Sequence, residues 1–148
     1  MKFRLLTVII IIIFVFGCTH NKFDVDVSNI SVTIDVKRFD LDLMKNYPDT
    51  PDVYKLIEDY NSFLDLYSYQ ILQIGGPNQR DYPKLLLDFT KYCQDYQIPA
   101  KVEKEFGDFS KQKKELEKAF KYYKYYFPSK QVPKVYTYFS NFSQSVIT

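Results

Sequence analysis

The chain of 148 residues has no tryptophan, one histidine (His20), two cysteines (Cys18 and Cys93) and four glycines. Each scarcity excludes a class of chemistry. One cysteine belongs to an amino-terminal signal described below, so a disulfide framework is ruled out. A lone histidine just past that signal cannot build a His-rich metal site, an HExxH motif or a histidine-based nucleophile relay, and no metal ligand or catalytic residue is assigned. The glycines form neither a Walker A loop nor GxGxxG, and no GxSxG elbow is present, so no cofactor is expected. Charge of one sign is not in excess either, with 20 Lys and Arg against 18 Asp and Glu. Removing Lys2 and Arg4 with the leader leaves 18 of each, which gives nucleic-acid binding no bulk electrostatic support.

What the chain does have is apolar and aromatic matter, at 46% hydrophobic and 18% aromatic with 26% charged, enough for one core and far from a disordered composition. The first residues concern address. Lys2 and Arg4 make a basic n-region, and Leu5–Phe16 is a run of 12 almost wholly apolar residues, long enough for a secretory leader but shorter than the roughly 20 of a permanent span. It ends at Val15-Phe16-Gly17-Cys18, which resembles the lipobox cut by the lipoprotein signal peptidase. Cys18 then becomes the lipidated amino terminus, its thiol attacking the lipid donor while small Gly17 gives the peptidase access to the bond. A plain signal peptide or an anchor helix with an incidental cysteine is the alternative. Both versions place the remainder outside the cytoplasm.

Thr19–Asn29 is polar and aperiodic and reads as a tether. Ser31–Phe39 alternates Val32, Ile34 and Val36 with Thr33, Asp35 and Lys37, the pattern of a half-buried strand. Thr50 and Pro51 supply an N-cap and a first-turn proline for a long helix whose apolar positions step from Val53 to Ile74 and which Gly75-Gly76-Pro77 stops. A second helix covers Tyr82–Gln97, with Leu85, Leu86, Phe89, Tyr92, Cys93 and Tyr96 inward, and Ala100–Phe106 forms a short helical turn. Cys93 on that face reads as a buried small hydrophobe. Asp108 caps a third helix with Phe109, Leu116, Ala119, Phe120, Tyr123 and Phe127 on one stripe and Lys111, Lys114, Lys118, Lys121 and Tyr125 opposite. Glu117 and Lys121 make an i,i+4 pair, and the lysine side is most simply a solvated face, although with Tyr125 it could dock an acidic partner or stack on a sugar or base. Val135–Phe142 suits a strand that is either covered on both faces or short of neighbours. The carboxylate pairs Glu58/Asp59 and Asp40/Asp42 diverge in direction and read as surface acids rather than an acid–base pair.

The lipobox, the strand leading into Lys37-Arg38-Phe39-Asp40, the segment Ala119-Phe120-Lys121-Tyr122-Tyr123-Lys124-Tyr125-Tyr126-Phe127-Pro128, and Pro133-Lys134-Val135-Tyr136-Thr137-Tyr138-Phe139-Ser140-Asn141-Phe142 together resemble the gliding motility lipoprotein GldB family, amino-terminal half only. The resemblance implies a non-enzymatic, lipid-anchored lipoprotein of the Bacteroidetes cell envelope that serves gliding or the type IX secretion machinery. Its implied partners are the outer membrane and the proteins of that machinery. The family is also similar to zinc proteases whose HExxH lies downstream of this last strand, so a degenerate or truncated zinc-protease-like hydrolase is one alternative and a glycan-binding lipoprotein another. Only Cys18 carries over as a functional position. The expectation is therefore a signal peptide over 1–17, a lipid tether over 18–29, and over 30–148 a truncated α+β domain, predominantly helical, with three amphipathic helices, two or more strands and an incomplete sheet.

Overall fold

The computed structural model describes residues 25–140. The leader, Cys18, His20 and most of the tether lie outside the described residues, as does the expected strand beyond Ser140. The chain divides into two units after Ser31. In the first, the Asp26 carboxylate accepts the Ser28 N–H at 2.9 Å and the Ile30 N–H reaches the Val27 carbonyl at 3.1 Å, an Asx turn that satisfies its own backbone.

Among the described residues, the second unit, from Val32 onward, holds all the regular elements. It is α+β and predominantly helical. Strand β1 (Val36–Arg38) pairs in parallel with β2 (Val135–Thr137), in the register Val36 with Val135 and Arg38 with Thr137. Parallel strands need a long crossover, and here the crossover contains every helix among the described residues. The expected strand Ser31–Phe39 is shorter than its pattern. Burial alternates from Ser31 to Arg38 with Ile34 inward, but the ladder spans only three residues because β2 offers only three. Phe39 opens helix α1 (Phe39–Met44) instead, since Phe39 and Leu43, four apart, are both buried completely on a helical face.

Helix α2 (Val53–Leu66) starts later than Thr50-Pro51 suggests. Asp52 is its cap, accepting the Lys55 N–H at 3.0 Å, because a carboxylate at that position satisfies an orphan donor of the first turn and Thr50 lies two residues short of it. The expected uninterrupted helix to Ile74 is broken at Asn61, whose φ of 36° lies in the left-handed half, and then widens into a π-helical segment, Tyr67–Leu72. It ends before the glycines, at Gln73 with φ 58°. The wider turn buries Tyr67, Ser68, Ile71 and Leu72 together, and Ser68 Oγ is satisfied by the Leu64 carbonyl and the Tyr82 hydroxyl, each at 2.6 Å.

Helix α3 (Tyr82–Asp95) buries Tyr82, Leu86, Thr90 and Cys93. Tyr92 and Tyr96 do not point inward as their spacing suggests: they flank the buried stripe, exposed at 38% and 59%, and pack on each other with ring centres 4.7 Å apart. An amphipathic phenol at the edge of a core keeps its hydroxyl in water. A left-handed Gln97 then turns the chain into α4 (Ile98–Phe106), a full helix where only a helical turn is expected. Helix α5 (Ser110–Tyr126) follows a tight turn with Gly107 at φ 54° and Phe109 at φ 65°. Asp108 does help cap it, accepting the Ser110 N–H at 2.9 Å, but Phe109 lies outside the helix and its ring leaves the expected stripe. No residue of α5 is fully buried. At its far end the Lys124 ammonium donates to the carbonyls of Pro128 and Lys130 at 2.6 and 2.7 Å, closing the turn that leads to β2.

The main core joins Phe39 and Leu43 of α1, Leu56, Tyr60 and Leu64 of α2, the π-helical segment, and Tyr82 and Leu86 of α3. Phe63 of α2 stacks on Tyr136 of β2 with ring centres 4.2 Å apart, which fastens the strand pair to the helices. A smaller cluster of Cys93, Ile98 and Phe139 touches Met44 and Val102, and Phe89 belongs to both. The Tyr67 hydroxyl donates to the Phe139 carbonyl at 2.9 Å, so a fully buried phenol of the core also holds the chain just after β2.

Candidate functional site

Where β1 runs into α1, Arg38 and Asp40 lie side by side at the floor of a cavity. Arg38 sits on the inward phase of the alternation that begins at Val32, and so carries a charge where the pattern calls for an apolar residue. Asp40 answers it from the first turn of α1. The pair is bidentate, Nε to Oδ1 at 3.0 Å and Nη2 to Oδ2 at 2.8 Å, with the Asp40 side chain only 3% exposed. Thr137 of β2, which pairs with Arg38 in the ladder, donates its hydroxyl to Asp40 Oδ1. The strand pair, α1 and the ion pair are thus one fastening.

The cavity holds about 300 Å³. Its walls are Val102 and Phe106 from α4, Phe109 from the turn before α5, and Tyr136, Tyr138 and Phe139 from β2 and the residues after it. The Arg38 guanidinium lies over the Phe109 ring, 5.8 Å from its centre. Phe106 and Tyr138 are exposed at 44% and 42%, so the mouth is aromatic and open to solvent. Such a hollow, apolar in its walls with a charged, hydrogen-bonded floor, has the make-up of a binding pocket for one compact apolar group.

Electrostatics argue against acid–base work at this floor. Burial by itself pushes the Asp40 carboxyl up, but the Arg38 and Thr137 hydrogen bonds and the Arg38 charge outweigh it, and the group ends below the usual aspartate value. The hydrogen bond to Asp40 likewise raises Arg38. Asp40 is held as an anion that accepts three hydrogen bonds, and its lowered pKa makes it a weak base near neutrality. Asp42, on the next turn of direction, accepts a hydrogen bond from the Tyr60 hydroxyl, and burial with that contact raises the Tyr60 phenol. Asp40 and Asp42 therefore serve two separate partners. Glu58 and Asp59 share the Lys55 ammonium at 3.2 and 3.0 Å on an exposed face.

Cys93 is fully buried and burial pushes its thiol up to about 12, which makes it a packed hydrophobe with almost no thiolate at neutral pH. Glu117 does not serve Lys121 as the i,i+4 spacing suggests; its carboxylate accepts the Ile34 N–H at 3.2 Å, tying α5 to the strand leading into β1. Cys18, the one functional position expected from the sequence, lies outside the described residues. The cavity was not foreseen. Its one sequence signal is Arg38 on the inward phase, since a charge in a core register demands a partner.

Comparison with known families decides the kinship. The model of the gliding motility protein GldB matches residues 20–148. The chain belongs to the GldB family. It is thereby a gliding motility lipoprotein of the cell envelope by kinship, and the cavity described above lies inside the matched region. No curated protein matches, and no solved structure matches. Among the described residues no helix is long and apolar enough to cross a membrane, and no group of three or more His, Cys, Asp or Glu is arranged to hold a metal ion.

Proposed function

We propose that this GldB relative is held at the outer membrane by lipid on Cys18 and serves the gliding or type IX secretion machinery by contact with envelope proteins, without catalytic turnover. The observation that supports the reading is the floor of the cavity: Asp40 accepts two hydrogen bonds from Arg38 and one from Thr137 and is held ionised, so the hollow offers apolar grip and a fixed charge pair. A partner's side chain entering between Phe106, Phe109 and Tyr138 would bury aromatic surface, the usual source of a contact hot spot. The lipid reading rests on the Gly17-Cys18 junction; two or three acyl chains, at about 0.8 kcal/mol per buried CH₂, make detachment rare.

The test is carried out in cells. A photoreactive phenylalanine at Phe106 should crosslink to a component of the gliding or secretion machinery, identified by mass spectrometry, while the same group at exposed Tyr54, outside the cavity, should not. Cys18→Ser should lose metabolic alkyne-palmitate label, retain its leader and lose the crosslink. Equal capture from both positions, or unchanged spreading and adhesin export after deletion of the gene, rejects the assignment.

A further inference from the structure

Helix α5 carries six lysines and two glutamates in its 17 residues and contributes nothing to the buried core. At 100° per residue Lys111, Lys114, Lys118, Lys121, Tyr125 and Tyr126 fall within an arc of roughly 140°, running the length of a helix about 25 Å long. Lys111, Lys114, Lys118, Tyr125 and Tyr126 are exposed, and Tyr125 and Tyr126 meet edge to face with ring centres 5.1 Å apart. Of the glutamates, Glu115 falls in the arc, whereas Glu117 lies off it and accepts the Ile34 N–H. Lys124 also lies off it, engaged by the carbonyls of Pro128 and Lys130.

We propose that this lysine–tyrosine strip lies on an anionic lipid surface and gives the tethered chain a second membrane contact. The proposal rests on the lipid-anchor reading above. Lysine ammoniums are point charges on flexible stems, without the planar fork of arginine that grips one carboxylate or phosphate, so they suit the smeared charge of headgroups. Tyrosines favour the depth where ring meets lipid and hydroxyl meets water. A convex helical strip offers no cradle for one acidic peptide. A lipid on Cys18 would hold headgroups at high effective concentration, so weak attraction suffices.

The absence of tryptophan supplies the assay, because Tyr125→Trp introduces the only such fluorophore in the chain. The full-length lipidated protein is reconstituted with vesicles containing phosphatidylglycerol or with phosphatidylcholine alone. Emission is expected to shift to the blue and resist iodide only with the anionic vesicles, and to revert at about 0.5 M salt, where charges are screened within a few ångströms. Lys114→Gln and Lys118→Gln, each removing one positive charge, should each weaken the effect about five-fold, with the far-ultraviolet spectrum unchanged. Unshifted emission on anionic vesicles, or an equal shift on both, overturns the proposal. So does a shift produced by soluble dextran sulfate and not by vesicles, which would assign the strip to an acidic glycan. Failure of the chain to float with phosphatidylcholine vesicles overturns the anchor instead, and the emission on anionic vesicles still decides the strip.

Discussion

Arg38 and Asp40 show how one misplaced charge can organise a site. A guanidinium on the inward phase of a strand is costly unless its partner is equally buried, and Asp40, reached by a turn of α1, provides two hydrogen bonds to it while Thr137 satisfies one of the carboxylate oxygens further. Because the folded Asp40 pKa lies below its unfolded value, its contribution is complete above the ordinary aspartate range of about 3.9 and is lost as pH falls through the lower folded value. Arg38→Met should cost about 3 kcal/mol at pH 7 by stranding the carboxylate, and the double change Arg38→Met with Asp40→Leu should recover part of it. Urea titrations at pH 7 and at pH 3 check both the size and the sign: the gap between wild type and Asp40→Asn narrows in acid. A gap that is constant with pH would mean that the pair acts through packing alone.

Among the elements, α2 and the π-helical segment depart furthest from ideal geometry. Apolar spacing from Val53 to Ile74 is continuous, yet the chain breaks at Asn61 and widens at Tyr67 so that Tyr60, Leu64, Tyr67 and Ile71 can face Phe39 and Tyr82 together. At φ 36° and ψ −113° Asn61 lies outside the αL region that asparagine favours, in a part of backbone space that glycine reaches more readily than any residue with a Cβ and a β-branched residue tolerates least. Asn61→Gly should therefore be neutral or stabilise by up to about 0.5 kcal/mol, whereas Asn61→Val should cost about 1–2 kcal/mol. Thermal denaturation of the two variants reads the order directly, and a straight helix through this position would reverse it, since glycine is the poorer helix former. The sequence announced neither break. Nothing in Asp59-Tyr60-Asn61-Ser62 marks a stop, and the demand comes from the aromatic rings around Phe39.

At the scale of the whole second unit, β1 and β2 close a parallel pair across nearly the entire domain, and Phe63 stacked on Tyr136 links that pair to the main core. Helix α5 stands apart, with Leu116, Phe120 and Tyr123 half-buried, Phe127 exposed and no residue sealed from water. Local opening follows burial, so the amides of α5 should exchange with deuterium through sub-global opening, well before those of α1 and α3. Hydrogen exchange followed by mass spectrometry tests this, and equal protection of α3 and α5 would show that the helix belongs to the cooperative core. The solvated face expected for Lys111, Lys114, Lys118 and Lys121 is observed at the first three, whereas Lys121 is half-buried, and the inward stripe of the same helix is covered less than its periodicity implies.

Composition and local pattern were enough for the predominantly helical α+β class, for the helices near Tyr82 and Ser110, for the buried inert Cys93 and for the family. These depend on short-range periodicity and on residue order, both of which are written along the chain. The three-residue limit of the ladder, the outward turn of Tyr92 and Tyr96, the Phe109 ring leaving its helix and the hollow above Arg38 depend on partners up to about a hundred residues away. Spacing records which residues share a face but not which distant surface meets it, so those features arise only when β2 returns to lie beside β1.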